Sequence, residues 1–294
     1  MTRVLVAGAT GYLGRHIVET CTNRGHWVRA LSRPGSVEKL SSTGTHLEPA
    51  VDSHVDDLFV GSATEPRSLA GLCDDIDVVI SSLGVTRQSA SRWAVDYKAN
   101  RTILDLAMNA GVDQFIFVSV AEPQLWEELI KPRERLVSEL EAESISHVIV
   151  RPTGYFSDMT AVLRMAERGL VVLVGDGRAQ VNPIHGSDLA AVCADAIASD
   201  EETIHTGGPE TMSYNEIATV AFDALEQSNR VIHIPERFTR ATLAVVRPVH
   251  SRYYGLGNAF TNVMTTDVIA PETGSHRLGA YYESVLQRDA QRDR

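Results

Sequence analysis

The stretch "VLVAGATGYLGRHIVE", Val4 to Glu19, decides how the rest of the chain is read. A β-branched apolar run leads into Gly8, Gly11 and Gly14, and an amphipathic helical pattern begins at once after them. Spaced G-x-x-G-x-x-G between a strand and a helix, the three glycines divide the work of a phosphate-binding turn. The first lets the chain reverse, the second lets backbone N–H groups approach a pyrophosphate, and the third lets the helix pack on its strand. The helix N-terminus then presents its positive end to the phosphates. Near the start of the chain and followed by further strand signals, the loop reads as a dinucleotide site.

Outward from the loop the first half alternates short apolar runs with amphipathic segments. "RVLVAG", "HWVRALS", "DDLFVG", "DVVISS", "QFIFVSV" and "SHVIVRP" are six strands by composition. Helices are predicted over Leu13–Arg24, Pro66–Leu72, Ala94–Ala110 and Pro132–Glu143, and "TNRGHWV" and "MNAGVDQF" place glycine just past a helix end. This is an α/β chain with a doubly wound parallel sheet, helices on both faces. From Thr153 the rhythm becomes helix, short strand, Gly-rich turn, strand and helix, and Ser213 with Glu216 predicts a capping box. The expectation is one Rossmann-type domain over 1–294. Its core spans roughly 1–152 and 184–206, and a smaller interleaved substrate lobe spans roughly 153–183 and 207–290.

The end of the second strand selects the cofactor. NAD binders place an acidic residue there for the ribose hydroxyls, whereas "ALSRPG" offers Ser32 and Arg33. A guanidinium beside a hydroxyl suits a 2′-phosphate, so NADP is expected, with NAD as the alternative. The formal charge of −11 argues against a general nucleic-acid or anionic-membrane binder. Cys21, Cys73 and Cys193 are far apart and form no CxxC pair, and the ten histidines show no ligand spacing with carboxylates. Neither a disulfide framework nor a metal site is expected. The N-terminus runs straight into a strand without a cleavable apolar region, and no uncharged apolar run reaches the length of a membrane span. The reading is therefore a cytoplasmic protein with no transmembrane segment, a monomer or homodimer, for which a protein partner is possible.

Taken together, "AGATGYLGRHIV", "DVVISSLG", "VDYKANRTILDLAMNAGVDQFIFVSV", "VIVRPTGYFSDM", "NPIHGSDLA" and "HTGGPETMSYNEIA" resemble the short-chain dehydrogenase/reductase superfamily. The similarity is to its atypical branch, which includes NmrA-like and complex-I-subunit-like proteins. The resemblance implies that Gly8, Gly11 and Gly14 hold the pyrophosphate, lined by Thr10, Tyr12 and Leu13. It places Arg33 with Ser32 at the 2′-phosphate, and Ser81, Ser82, Leu83 and Gly84 under the adenosine ribose. It likewise implies Asn100 and Ser119 in the active site, and Arg151, Pro152, Thr153 and Gly154 beneath the nicotinamide. Ser62 stands where relatives carry an adenine-binding Asp, a weaker acceptor for the same contact.

The family's Tyr-x-x-x-Lys pair is missing. The helix after the fifth strand, "QLWEELIKPRERLVSELEAES", has no tyrosine, and no tyrosine in the chain has lysine four residues on. Without that pair a phenol keeps its ordinary pKa near 10 and donates poorly at neutral pH. Replacement donors are Tyr155, which reads either as donor or as an aromatic plug between lobes, and Lys131, whose "KPRER" setting reads as exposed. Arg133 nearby cannot give up a proton. His185, with Asp188 three residues on, reads as a structural cap near the cleft. Two functions follow: an NADP-dependent oxidoreductase on a small apolar or quinone-like substrate, or a non-catalytic nucleotide-binding sensor or assembly protein. The segment from Phe238 to Val268 is amphipathic enough to line a pocket or a partner groove.

Overall fold

The computed structural model describes residues 1–85, 91–247 and 251–292. Its elements run β1 (Arg3–Ala7), α1 (Tyr12–Asn23), β2 (Trp27–Ser32), β3 (Asp57–Val60), β4 (Val78–Ser81), α2 (Asn100–Ala110), β5 (Gln114–Val118), α3 (Lys131–Leu140) and β6 (Ser146–Pro152). They continue with α4 (Phe156–Glu167), β7 (Val171–Val174), β8 (Gln180–Val181), α5 (Gly186–Asp195), β9 (Thr203–Thr206), β10 (Met212–Ser213), α6 (Tyr214–Ala224), β11 (Val231–Ile234), α7 (Glu236–Val246), α8 (Ser251–Thr265) and α9 (Leu278–Arg292). Residues 248–250 of the amphipathic segment noted above, and the last two residues of the tail, lie outside the described residues. No described helix is long and apolar enough to cross a membrane.

The chain divides into two compact units. One comprises Met1–Ser119, Pro132–Arg151 and Leu189–Ile204, and the other Val120–Lys131, Pro152–Asp188 and His205–Arg294. The first is built on a parallel sheet in the order β3-β2-β1-β4-β5-β6-β9. The order reverses between β1 and β4, the switch point at which doubly wound folds bind ligands. All six strands read from composition are present. The seventh, β9, was not expected: "TIHT" is too short and too polar to stand out, and pairs with β6 only once the sheet exists.

Alternation along the strands makes the core. Leu5, Val79, Phe115, Phe117 and Ile149 turn to one face and pack on Ile103, Leu104 and Ala107 of α2 and Leu136, Val137 and Leu140 of α3. Each such Leu, Ile or Phe removed from water contributes about 1.5–3 kcal/mol, which fixes α2 and α3 over β4 and β5. Gly111 ends α2 in the left-handed region (φ 76°), as its position past the helix predicts.

Two predicted helices need correction. Pro66–Leu72 is a single 3-10 turn, Pro66–Leu69, because the backbone leaves the helical region at Ala70 (ψ 125°) and Gly71 turns left-handed (φ 80°). Ala94–Ala110 is not uniform: Trp93–Ala99 is a π-helical turn that leads into α2. Its wider winding sets the phase at which Asp96 and Asn100 enter the interior, both buried.

In the second unit, β7 pairs with β11 in parallel and β8 with β10 antiparallel. Ser213 caps α6 with the predicted box: its Oγ accepts from the Glu216 N–H, while Glu216 accepts from the Ser213 N–H at 2.7 Å. Tyr282 is buried on α9 and donates to the Met159 carbonyl at 2.7 Å.

Candidate functional site

The Gly8–Gly14 loop closes on itself, with the Gly11 N–H donating to the Gly8 carbonyl at 2.9 Å. Gly8 has φ 90°, where an L side chain is strained, and a Cβ there would lie 3.0 Å from Leu83 N. Gly14 is tighter: a Cβ would lie 2.0 Å from the Gly8 carbonyl oxygen and 2.9 Å from Ala9 Cα. The third glycine therefore lets α1 sit directly on the end of β1. Gly11 is the N-cap of α1 and offers no side-chain acceptor, so the first-turn N–H groups from Tyr12 onward remain to meet an anion. Thr10 and Tyr12 are half-buried beside this turn, and Leu13 points into the core. A nicotinamide dinucleotide fits these features, which a side chain at Gly14 would abolish.

At the end of β2, Ser32 is buried and its Oγ donates to the Arg33 carbonyl at 3.2 Å. Arg33 is exposed and caps the 3-10 turn Pro34–Ser41. Sequence reasoning passed over Arg15. It is buried on α1, with Nη1 donating to the carbonyls of Ser42 (2.5 Å) and Pro49 (3.3 Å), so it ties the segment after Arg33 to the helix. Burial lowers its pKa, an effect that Glu48 opposes. A charged residue right after the third glycine was the available signal. Beyond β3, Ser62 shares its hydroxyl with Thr64 at 3.0 Å. Next to it a largely apolar cleft of about 380 Å³ opens between Ala63, Thr64 and Pro66 on one side and Tyr97, Lys98 and Thr102 on the other.

The segment after β4 is held from three directions. Ser82 N donates to the Ala7 carbonyl at 3.0 Å, and Ser81 Oγ donates to Asn100 Oδ1 at 2.5 Å. Asn100 Nδ2 donates to the carbonyls of Leu83 (3.2 Å), Val95 (3.1 Å) and Asp96 (3.2 Å). Asp96, not foreseen, accepts the Val85 N–H at 2.7 Å. Its signal was its place four residues before Asn100, one helical turn away. Gly84 lies against Arg133, whose Nη2 is 1.9 Å from where a Cβ would sit.

Over β5, Ser119 is buried and its hydroxyl donates to Glu134 Oε1 at 2.7 Å. Glu134 also takes a bidentate pair from Arg151, at 3.0 and 2.8 Å. In this arrangement Asn100 and Ser119 are committed to protein partners. Arg133 donates to the Val118 and Leu83 carbonyls.

The remaining residues named from sequence lie in the second unit. Thr153 is buried, with its N–H on the Thr206 carbonyl and its Oγ1 on the Asn182 carbonyl. Pro152 is buried at the end of β6, and the Gly154 carbonyl accepts from Ile184 N at 2.8 Å. Tyr155, half-buried, is the N-cap of α4 and bridges Ile184. Lys131 is exposed in an ion pair with Glu128.

His185 stacks on His276, with ring centroids 4.3 Å apart, and its Nδ1 accepts the Ser187 N–H at 3.2 Å. Asp188 also reaches far along the chain. It takes His276 Nδ1 at 2.8 Å and the N–H groups of Ser275 and His276. Burial pushes the His185 pKa down to about 4, helped by His276 and opposed by Asp188.

The sequence profile of the NAD(P)H-binding family matches residues 8–200, from the first glycine of the loop to just short of β9. The chain belongs to this NAD(P)H-binding family, among the atypical short-chain dehydrogenases/reductases. Its cofactor is accordingly a nicotinamide dinucleotide. Relatives include reductases and one assembly factor, the photosystem II assembly factor Ycf39 of Cyanophora paradoxa, 28% identical over 53% of this chain and 46% of that protein. The divinyl chlorophyllide a 8-vinyl-reductase of Oryza sativa subsp. indica is 30% identical, over 98% of this chain and 72% of that protein. The phenylcoumaran benzylic ether reductase PT1 of Pinus taeda is 25% identical, over 80% of this chain and 79% of that one. The fold matches the NADPH-dependent quinone oxidoreductase QOR2 of Escherichia coli, solved with NADPH, at a TM-score of 0.70 and 15% identity over 97% of this chain and 99% of that one.

Proposed function

We propose that the chain is an NADP(H)-dependent reductase of a small, largely apolar, conjugated acceptor, either quinone-like or an activated alkene, and that it works without a Tyr-x-x-x-Lys pair. The observation that carries this reading is the surface α3 presents at the end of β5. Where a phenol and an ammonium would be expected stand Arg133 and the Glu134–Arg151 pair. A conjugated acceptor can do without an acidic phenol. Hydride addition to it yields a delocalised anion that water protonates afterwards, whereas an isolated carbonyl needs its proton as the alkoxide forms. The names of the relatives, a vinyl reductase and a quinone oxidoreductase, support acceptors of this kind.

When bound, the reduced nicotinamide supplies the hydride. The chain's residues bind and aim it. Gly8, Gly11, Gly14 and the first turn of α1 take the pyrophosphate, and Arg33 with Ser32 takes the 2′-phosphate. The apolar cleft beside Ser62 seats the adenine, while Ser81, Ser82, Leu83 and Gly84 carry the ribose side. Pro152, Thr153 and Gly154 lie beneath the nicotinamide. Tyr155 or water returns the proton, and the exposed, paired Lys131 stays out of the reaction. We take 1–294 as one functional domain.

Titration calorimetry with NADPH and NADH, followed by turnover of NADPH against quinones and enones, tests the reading. Tight NADPH binding with turnover is expected, and its loss in Tyr155→Phe would make that phenol the donor. Tight binding with no turnover on any acceptor would assign the chain to the sensor or assembly class.

A further inference from the structure

We propose that the outward side of α7 docks the protein on an anionic membrane surface. Phe238, Ala241 and Val245 enter the headgroup layer of the bilayer, and the arginines of the same segment meet the lipid phosphates. The contact lies wholly within the second unit and stands whether or not the chain reduces an acceptor.

This helix is turned inside out. Arg240, Leu243 and Arg247 follow one another at three and four residues, so they share one side of α7, and that side meets α8. Arg240 donates to Asn262 Oδ1 at 3.1 Å and to Asn258 Oδ1 at 3.4 Å. Leu243 fills the space that Gly257 leaves, its Cδ2 2.5 Å from where a Cβ would sit. The Arg247 guanidinium carbon lies 5.2 Å from the centre of the Tyr254 ring. Phe238, Ala241 and Val245 repeat the same spacing half a turn away. Phe238 is 67% exposed and Val245 74%, Ala241 is exposed as well, and no residue of α7 is buried. A surface helix of a soluble protein turns its apolar stripe to the core and its charges to water. In α7 the stripe faces solvent and two arginines face the protein.

Charge around α7 is opposite to that of the whole chain. Residues 227–266 carry Arg230, Arg237, Arg240, Arg247 and Arg252 against Glu236 alone, so this segment is +4 in a chain of −11 and the remaining residues carry −15. Arg237, exposed, borders the stripe beside Phe238, and no acidic residue follows it before Asp267. Glu236 stands on the α8 side, paired with Arg240 at 2.7 Å, and Glu127 meets Asn262 on that side too. The total of −11 opposes adsorption to an anionic surface from a distance. At contact the charges within a Debye length, about 8 Å at physiological salt, decide, and an arginine near such a surface is attracted to it.

Area and charge favour lipid over a protein partner. With 11 residues, α7 is about 16 Å long, and one side of a helix about 10 Å wide presents on the order of 200 Å². A stable protein–protein contact takes about 800 Å² from each side and seats its anchors in pockets. A second copy meeting α7 across a twofold axis would bring two arginine-rich segments together, at a cost in repulsion. A bilayer demands neither area nor a matching shape. A helix with aromatic and aliphatic residues on one side and arginines on the others lies in the headgroup layer, its guanidinium groups carried to the phosphates on flexible stems.

The test mixes the full chain with vesicles of phosphatidylcholine alone or of phosphatidylcholine and phosphatidylglycerol in equal parts, and measures bound protein by sedimentation. Binding to the anionic vesicles should exceed binding to the neutral ones by about tenfold or more, and should fall about as much on going from physiological to 1 M salt. Phe238→Asp combined with Val245→Asp should weaken it by about tenfold or more while the melting temperature stays that of the wild type, since both side chains are exposed. If the double variant melts lower, Phe238→Ser with Val245→Ser carries the comparison. Phe238→Trp gives the direct reading: its added emission should shift to the blue and be quenched by brominated lipid in the anionic vesicles. Absence of binding to anionic vesicles overturns the proposal and leaves the face to a protein partner. Equal binding to neutral vesicles, equal binding of the Asp variant, or an unquenched Phe238→Trp protein overturns it as well. A wild type that is dimeric by light scattering, with an Asp variant that is monomeric, would assign the face to a second copy and overturn it too.

Discussion

Alanine at Gly14 and at Gly11 should fail in different ways, and the difference tests the assignment of the loop. At Gly14 the new methyl would lie 2.0 Å from the Gly8 carbonyl oxygen, 2.7 Å from its carbon and 2.9 Å from Ala9 Cα. Reaching an ordinary contact of 3.4 Å demands a retreat of about 1.4 Å, and every obstacle is backbone at the end of the central strand β1. Overpacking of this kind costs roughly 2–3 kcal/mol, which lowers the melting temperature of a chain this size by roughly 4–12 °C. At Gly11 the nearest atom is the same carbonyl oxygen at 3.2 Å, so the shortfall is slight and melting should move by no more than about 2 °C. If the pyrophosphate approaches there, however, the methyl occupies its path. NADPH affinity should fall about 30-fold or more, equivalent to about 2 kcal/mol, although the protein is as stable as before. Differential scanning fluorimetry and calorimetry on both variants give the answer. A Gly14→Ala protein that melts and binds as the wild type would refute the packing argument. A Gly11→Ala protein with unchanged NADPH affinity would move the pyrophosphate away from the loop.

Four further outcomes are expected. His185 is held near pKa 4 in the folded chain against 6.5 when unfolded, so between these values the unfolded state binds the extra proton and stability falls as pH drops. Urea midpoints at neutral pH and near pH 5 should show this loss, on the order of 3 kcal/mol over the full window, and His185→Gln should flatten it. Arg33→Ala should weaken NADPH about tenfold and leave NADH unchanged, a modest figure because the guanidinium is exposed; equal losses for both nucleotides would exclude a 2′-phosphate role. Asn100→Ala strips a donor from the Leu83, Val95 and Asp96 carbonyls, and chemical denaturation should record a loss of about 1–3 kcal/mol with weaker cofactor binding. Lys131→Met removes one exposed ion pair and should change stability by less than about 0.5 kcal/mol with turnover intact; a collapse of kcat would restore Lys131 as proton donor.

Much of the first unit was legible because its signals are local. Three glycines between an apolar run and an amphipathic helix mean one kind of turn, since no other residue permits φ 90° at Gly8 or the closeness at Gly14. Strands buried on both faces read as continuous apolar runs, and a glycine just past a helical pattern reads as its cap. The capping box at Ser213 was equally local, being written in four residues.

What escaped depended on partners distant in sequence. β9 exists because β6 offers it an edge, and nothing within "TIHT" announces that. Asp96 and Arg133 are 37 residues apart and each reads alone as a solvated helix charge. Only the stacking of α2 and α3 over β4 and β5 buries them together at Gly84. Likewise Asp188 reaches 88 residues along the chain to His276, a partner that its place three residues after His185 does not announce. Local sequence determines backbone conformation and the sign of each charge, because those depend on a residue and its immediate neighbours. Which charges are desolvated together, and so which are chemically strong, is decided by packing, because the cost of leaving water is set by everything that surrounds the group.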